Sequence, residues 1–413
     1  MGRLTMQKGW HGVRAALSEA NYRNFTIGNV FSLVGTWVQR VALGWLVWEL
    51  TGSGAWLGAV AFADLFPMVL VTPLAGAMAD RSERLRVTRI SQALLMVHAG
   101  LLTILSALGL LNPGLVLVLA LVGGIITAFN QPFRMALLPS LVERPNLISA
   151  VAINSVAFNV ARFVGPAIAG LVIAKGSLTL AFAINLGTFA VFSWTLARIR
   201  LVSVETTRSA NGGLITSVVE GWRYAAGHVG LGAMFLTLTV VSLCIRPILE
   251  LMPSYAALFG PDASKFAFMT SVIGLGALVG ALWLSRQADP AALAKMALSN
   301  GLLIGAALFV ASAVRQELLG LVALFVVGFG MVLSGIASQT VIQLAVPDHL
   351  RGRMLALHSM IFRGAPALGA LVIGALSDLT GLRGPLVAGA AVTFAFSGIV
   401  YSRRKLILKS LGL

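Results

Sequence analysis

The sequence predicts an all-α integral membrane protein with twelve transmembrane helices. Three observations lead there. Apolar runs of about 20 residues, the length that crosses a bilayer as a helix, recur along the 413 residues. Hydrophobic residues make up 58% of the chain and charged ones only 11%, too little to cover the surface of a soluble protein of this size. The basic residues gather in alternate connections, as the positive-inside rule requires of a multi-pass protein. That rule also accounts for the formal net charge of +16, which in a soluble domain would suggest nucleic acid. No nucleic-acid partner is expected.

The first span, at 24–48, follows a basic amphipathic stretch with Lys8, Arg14 and Arg23 and lacks a small-residue cleavage site. It reads as a retained helix rather than a signal peptide. Further spans are predicted at 56–79, 88–111, 113–133, 147–174 and 177–197, then at 231–256, 265–285, 291–313, 317–339, 354–376 and 384–402. The longest connection, 198–230, contains a flexible break, SANGG (209–213). Its second part, LITSVVEGWRYAAGH (214–228), has apolar residues near helical spacing. It reads as a short amphipathic helix on the inner membrane surface, or else as a loop with a chance pattern.

These elements define an N-terminal six-helix bundle (1–200), a cytoplasmic linker (201–230) and a C-terminal six-helix bundle (231–413). With both termini cytoplasmic, the inner segments hold Arg81, Arg84, Arg86, Arg89, Arg198, Arg200, Arg208, Arg223, Arg351, Arg353, Arg403, Arg404 and Lys405. The outer loops hold only Lys175, Lys265, Arg315 and Arg383. Cys244 is the only cysteine and lies in an apolar run, so the chain can form neither an internal disulfide nor a thiolate metal site, and core packing is its expected role.

The two halves share a weak repeat. Span five reads NSVAFNVARFVGPAIAG (154–170) after LLPSLV (137–142); span eleven reads HSMIFRGAPALGA (358–370) after QLAVPDHL (343–350). Gln39-Arg40 in span one matches Ile245-Arg246 in span seven. Parallel repeats of this kind mark a large transporter architecture. The loop after span two reads GAMADRSER (76–84), and Gly76, Asp80, Arg81 and Arg84 fit the pattern G-x3-D-R-x-x-R. On these residues the sequence resembles the major facilitator superfamily over nearly its whole length.

A narrower likeness rests on GTWVQRVALGWLVWELTGS (35–53), NQPFRMALLPSLV (130–142) and NVARFVGPAIAG (159–170). Together they are similar to the enterobactin-exporter and macrolide-efflux branch of proton-driven antiporters. Gly165, Pro166 and Gly170 resemble an antiporter motif, G-P-x-x-G-G, associated with export. The resemblance implies two pseudo-symmetric six-helix bundles working by alternating access as a monomer in a bacterial inner membrane. Its partners would be a small molecule, the proton and the lipid bilayer. Gly76, Asp80, Arg81 and Arg84 would form a cytoplasmic gate that stabilises the state open to the outside. The chain has no Walker A, H-E-x-x-H or G-x-S-x-G sequence, so no enzyme, cofactor or metal is expected, and the energy must come from a gradient.

The residues that can carry this chemistry are the charges inside the spans. Arg40 lies about 13 Å below Glu49 at the outer end of span one, and Asp64 lies about 12 Å below Trp56 at the start of span two. At equal depth Asp64 is the expected partner of an arginine that lipid alone cannot accommodate. Two readings of the pair stand: a cavity pair whose protonation changes during transport, and a static bridge or an arginine that snorkels outward. Arg246 and Glu250, four apart in span seven, read either as a local pair or as the second-half counterpart of Arg40 and Asp64; Pro247 between them allows a bend.

Arg162 and Arg363 have no acid on their own helices, Arg363 alternatively reaching the cytoplasmic rim. If all four arginines face the cavity with both acids ionised, its net charge is about +2, which favours anionic ligands. Trp37 and Asn159 are further candidates for the cavity wall, with helix packing and hydrogen bonding as alternatives; His98 reads as a titrating group or, alternatively, as a hydrogen-bonded core residue. The expected activity is proton-coupled export of an amphiphilic or anionic small molecule, siderophore- or drug-like. The alternatives are uptake or lipid flipping by the same fold, or a sensor or scaffold that does not transport.

Overall fold

The computed structural model describes residues 12–79, 82–201, 214–260, 262–287 and 289–412. Twelve helices among them are long and apolar enough to cross a membrane. In the first half these are Ala20–Thr51, Gly54–Gly76, Arg84–Ala107, Pro113–Ser140, Arg144–Ala174 and Leu178–Arg198. In the second they are Val229–Leu249, Ala263–Leu284, Ala291–Ala313, Glu317–Ala345, Leu350–Thr380 and Arg383–Ser402. They are called spans one to twelve below. Twelve crossings return the chain to the side from which it started, the proximal side; the opposite side is distal.

Local chemistry sets the ends of the helices. Span one stops at Gly52, whose φ of 58° is left-handed and whose N–H closes on the Trp48 carbonyl. Ser53 then caps span two by accepting from the Trp56 N–H. Span four starts with Asn112 as cap and Pro113 in the first turn. Span two is interrupted at Phe66, where Pro67 begins a second helical segment, Pro67–Ala79.

The structure corrects span seven. The sequence reading had one helix over 231–256, but the α-helix Val229–Cys244 gives way to a 3-10 turn, Arg246–Leu249, and a short helix, Met252–Ala257. Pro247 has no N–H for the Leu243 carbonyl, and Pro253 starts the next helix. Spans ten and eleven run beyond their predicted ends, to Ala345 and Thr380, because an apolar run marks the bilayer-buried part of a helix and not its last hydrogen bond. In the linker the helix forms at Leu214–Gly227, while SANGG lies outside the described residues.

Each span turns one stripe outward. In span three Ile90, Leu94, Val97, Leu101 and Ile104 recur at helical spacing and are exposed, as a lipid-facing row must be, while Leu95, Ala99 and Leu102 are buried. Polar side chains tie neighbouring helices, where hydrocarbon offers them no other partner. Asn130 donates to Ser91 Oγ at 2.8 Å, Asn185 to Gln39 Oε1 at 2.7 Å and Asn300 to Ser334 Oγ at 2.7 Å. His98 is buried with Nε2 2.9 Å from the Leu119 carbonyl oxygen.

Two six-helix bundles result, in contact through spans two and eleven and through spans five and eight. Their cores differ between the two sides of the membrane. On the distal side one cluster runs through both bundles, joining Val38, Leu46 and Phe182 to Ile245, Tyr255 and Leu386. On the proximal side each bundle has its own cluster, one around Phe25, Leu138 and Phe192 and the other around Leu231, Leu298 and Met354. The molecule is therefore closed distally, with separate cores proximally.

Gly124 of span four packs so closely on span two that a Cβ would overlap the Asp64 carbonyl oxygen, whereas Gly187 in span six has open space beside it. Gly124→Ala should therefore cost about 1–3 kcal/mol and lower the melting temperature in detergent, and Gly187→Ala should leave it unchanged or slightly raised.

Candidate functional site

Arg40, in the middle of span one, bridges the two bundles. Its Nη2 donates to Glu250 Oε1 at 2.7 Å and stands 3.9 Å from Asp64 Oδ2. Asp64 is thus the more distant partner, and the tight one comes from the second bundle. The expected local pair of Arg246 and Glu250 does not form its shared helix face, because the α-helix ends at Cys244 and the 3-10 turn re-aims both side chains. Glu250 turns to Arg40, and Arg246 lays its guanidinium over the Phe362 ring, 3.7 Å from the centroid. The Arg246 Nε has no hydrogen-bond partner.

Trp37, one turn before Arg40, stands between two cations. Arg40 lies 5.5 Å and Arg162 5.8 Å from its ring, and Phe158 meets it edge-on at 6.4 Å. The motif around Pro166 sets this arrangement. A Cβ on Gly165 would overlap that of Trp37, so only glycine lets spans one and five come this close. Pro166 has no N–H to offer the Arg162 carbonyl four residues earlier. Gly274 of span eight packs there, its Cβ position 2.7 Å from that oxygen. Gly170 meets Ala267 of span eight in the same close manner. The same device recurs at Pro247: the Leu243 carbonyl that it frees lies against Gly369 of span eleven.

Arg363 donates to Gln131 Oε1 at 2.9 Å, joining spans eleven and four. Arg246 lies within electrostatic reach of Arg162, Arg363, Arg40 and Glu250. Arg40, Asp64, Glu250, Trp37, Arg162, Arg246 and Arg363 therefore form one site between the bundles. Asn159, one turn before Arg162, donates to the Ser155 carbonyl of its own helix at 2.9 Å. In the loop 76–84, Arg84 donates to the carbonyls of Ala79 at 3.2 Å and Ala136 at 3.1 Å, tying spans two and four; Gly76 has open space beside it, and Asp80 and Arg81 lie outside the described residues.

The sequence reading did not single out Phe362 and His358 as site residues. Their rings stack at 5.7 Å, and His358 Nε2 lies 2.9 Å from Ser338 Oγ. The spacing of four between them in the span-eleven repeat was the available signal, since it places both on one helix face. The site offers a cluster of cations with few acids, flanked by the rings of Trp37, Phe158 and Phe362. Such a surface suits a ligand with a negative group and an apolar body.

A family model for transmembrane secretion effectors matches residues 12–410. The chain belongs to this family, within the major facilitator superfamily. Among curated relatives, a staphyloferrin A transporter of Staphylococcus aureus is 23% identical, the match covering 84% of this chain and 87% of the relative. The multidrug efflux pump Tap of Mycolicibacterium fortuitum is 26% identical, with 86% and 88% covered. The solved nucleoside transporter NupG shares the fold with a TM-score of 0.75 at 12% identity, covering 92% of this chain and 98% of that one. As a member of this family the protein is a multi-pass membrane transporter for a small molecule.

Arg40 serves two carboxylates, so its loss should do more damage than the loss of either acid. Arg40→Ala should lower stability by about 2–4 kcal/mol, somewhat below the cost of breaking a fully buried pair because the site is partly accessible. Asp64→Asn and Glu250→Gln should each cost less than Arg40→Ala. Thermal unfolding of the three variants in detergent checks the order.

Proposed function

We propose that this transporter works by alternating access and exports an amphiphilic or anionic small molecule, siderophore- or drug-like, in exchange for protons. The observation that carries this reading is Arg40 held between Glu250 of one bundle at 2.7 Å and Asp64 of the other at 3.9 Å. A cation shared in this way links the protonation of the acids to the contact between the bundles. Export is supported by the family's description and by the efflux pump among its relatives. We take both termini to lie in the cytoplasm of a bacterium, with the distal side facing out, a reading that the distribution of basic residues between the two sides supports. We further take the protein to act as a monomer in which 1–200 and 231–413 move as units about the linker 201–230.

In the distally closed state the site faces the cytoplasm, and both carboxylates, ionised, share Arg40. An anionic substrate entering from the cytoplasm meets Arg162 and Arg246 and competes with Glu250 for Arg40, which loosens the tie between the bundles. After the outer side opens, a proton neutralises Asp64 and the substrate leaves. Asp64 is the proton carrier because its side chain is 37% accessible and loosely held, whereas that of Glu250 is 14% accessible and tightly bonded. Return to the closed state and loss of the proton inside restore the starting arrangement. Gly76, Asp80, Arg81 and Arg84 form the cytoplasmic gate of the opposite state; the open space beside Gly76 is room for a helix to approach when that side closes.

Three experiments test this reading. In proteoliposomes Asp64→Asn should abolish uphill transport driven by a pH difference while leaving substrate exchange, which moves no net proton. A variant that still concentrates substrate on a pH gradient would place the proton site elsewhere. Arg162→Gln and Arg246→Gln should each weaken an anionic ligand roughly tenfold, the scale of one charge-assisted hydrogen bond, and a neutral ligand much less; equal losses would make both arginines structural. Asp80→Asn should shift the population toward the inward-open form, read as a larger separation of the cytoplasmic ends of spans two and eleven.

A further inference from the structure

At the distal face the last turn of span eleven reaches the start of span two in the other bundle. The Asp378 carboxylate accepts three hydrogen bonds there: from Ser53 Oγ at 2.5 Å, from the Gly54 N–H at 2.7 Å and from the Ala55 N–H at 3.3 Å. The first N–H groups of a helix have no partner within it and carry its positive dipole end, so a carboxylate is the best cap they can have. Ser53 is shared, because its oxygen accepts from the Trp56 N–H at 3.2 Å while its hydroxyl donates to Asp378. A helix of the first bundle thus completes its N-terminal hydrogen bonding with a side chain of the second.

Just beneath this contact the two backbones touch. A Cβ on Gly58 would overlap the Ala370 carbonyl oxygen, and one on Gly374 would overlap that of Gly54. The small residues set how closely spans two and eleven approach, and the carboxylate sets their register. Neither the charge pattern nor the central site accounts for an acid placed here.

We propose that Asp378 is the latch of the outer gate, holding the distal side shut by capping span two across the bundle boundary. Asp378 is exposed and Ser53 and Ala55 are half-buried at the rim of the contact, so water can replace the three hydrogen bonds when the bundles part. The latch is therefore reversible, as a gate requires, and opening breaks all three bonds together. Span two ends at its other side on the same residue pattern, GAMAD (76–80) against GALSD (374–378) in span eleven, with Asp80 outside the described residues. The latch rests on the alternating-access reading but on neither the substrate nor the coupling ion.

Cys244→Ser removes the only cysteine. Spin labels can then be placed at Leu50 and Leu379, which are 42% and 81% exposed near the distal ends of spans one and eleven. Double electron–electron resonance on the full chain, without substrate, reads their separation. Asp378→Asn should raise the ratio of wide to narrow separations about two- to fivefold, the scale of removing a carboxylate's charge from a helix N-terminus. Ser53→Ala should move it in the same direction by less, and the double variant should go no further than Asp378→Asn alone. An unchanged distribution in Asp378→Asn would overturn the latch. If that variant does not accumulate, Ser53→Ala decides: a wider distribution supports the latch and an unchanged one overturns it. Flux that proves indifferent to pH would remove the coupling reading and leave these distances unaffected.

Discussion

A guanidinium inside a membrane must be paired, and the pairing of Arg40 organises this molecule. Hydrocarbon offers the cation nothing, so the chain supplies two carboxylates at its depth, one from each bundle. A pair confined to one bundle would only stiffen it. A pair that crosses the boundary makes the contact between bundles depend on which groups are charged. The surrounding cations add to this, since Arg162 has no acid on its own helix and Glu250, four residues from Arg246, is bonded to Arg40.

The backbone is arranged around that boundary by a repeated exchange between proline and glycine. Pro166 and Pro247 each leave a carbonyl four residues earlier without its helical donor, and Gly274 and Gly369 bring neighbouring helices against those carbonyls. In lipid there is little hydrophobic gain from bringing two helices together, so close backbone approach supplies much of the contact energy. Spans five and eight, across the bundles, and spans seven and eleven, within the second bundle, meet in this way. Removing a side chain at one position of each contact allows helices to meet closely and still to slide or part, as moving bundles must.

The distal and proximal sides show the same economy in different states. Distally one apolar core crosses from bundle to bundle, and the carboxylate of Asp378 closes its rim. Proximally each bundle keeps a core of its own, so the bundles can separate there without exposing a shared one. The contact between bundles is therefore concentrated on one side of the central site, which leaves that site accessible from the other side.

The sequence by itself determined the twelve spans, the division into two halves and the identity of the charged residues inside the membrane. Apolar run length and the placement of basic residues are local properties, and the bilayer translates them directly into helices. It also pointed to Gly165, Pro166 and Gly170, through their resemblance to an antiporter motif. Only the tertiary structure decided which charges meet. Depth counting put Arg40 beside Asp64, and helical spacing put Arg246 beside Glu250; the break at Pro247 undid the second pairing and gave Glu250 to Arg40. Nothing in the sequence marked Asp378 for its contact, for the same reason. Its partners are backbone N–H groups more than three hundred residues away, and backbone groups carry no mark in the sequence. Contacts of that kind are set by how two helices of different bundles pack, which no periodicity within either helix records.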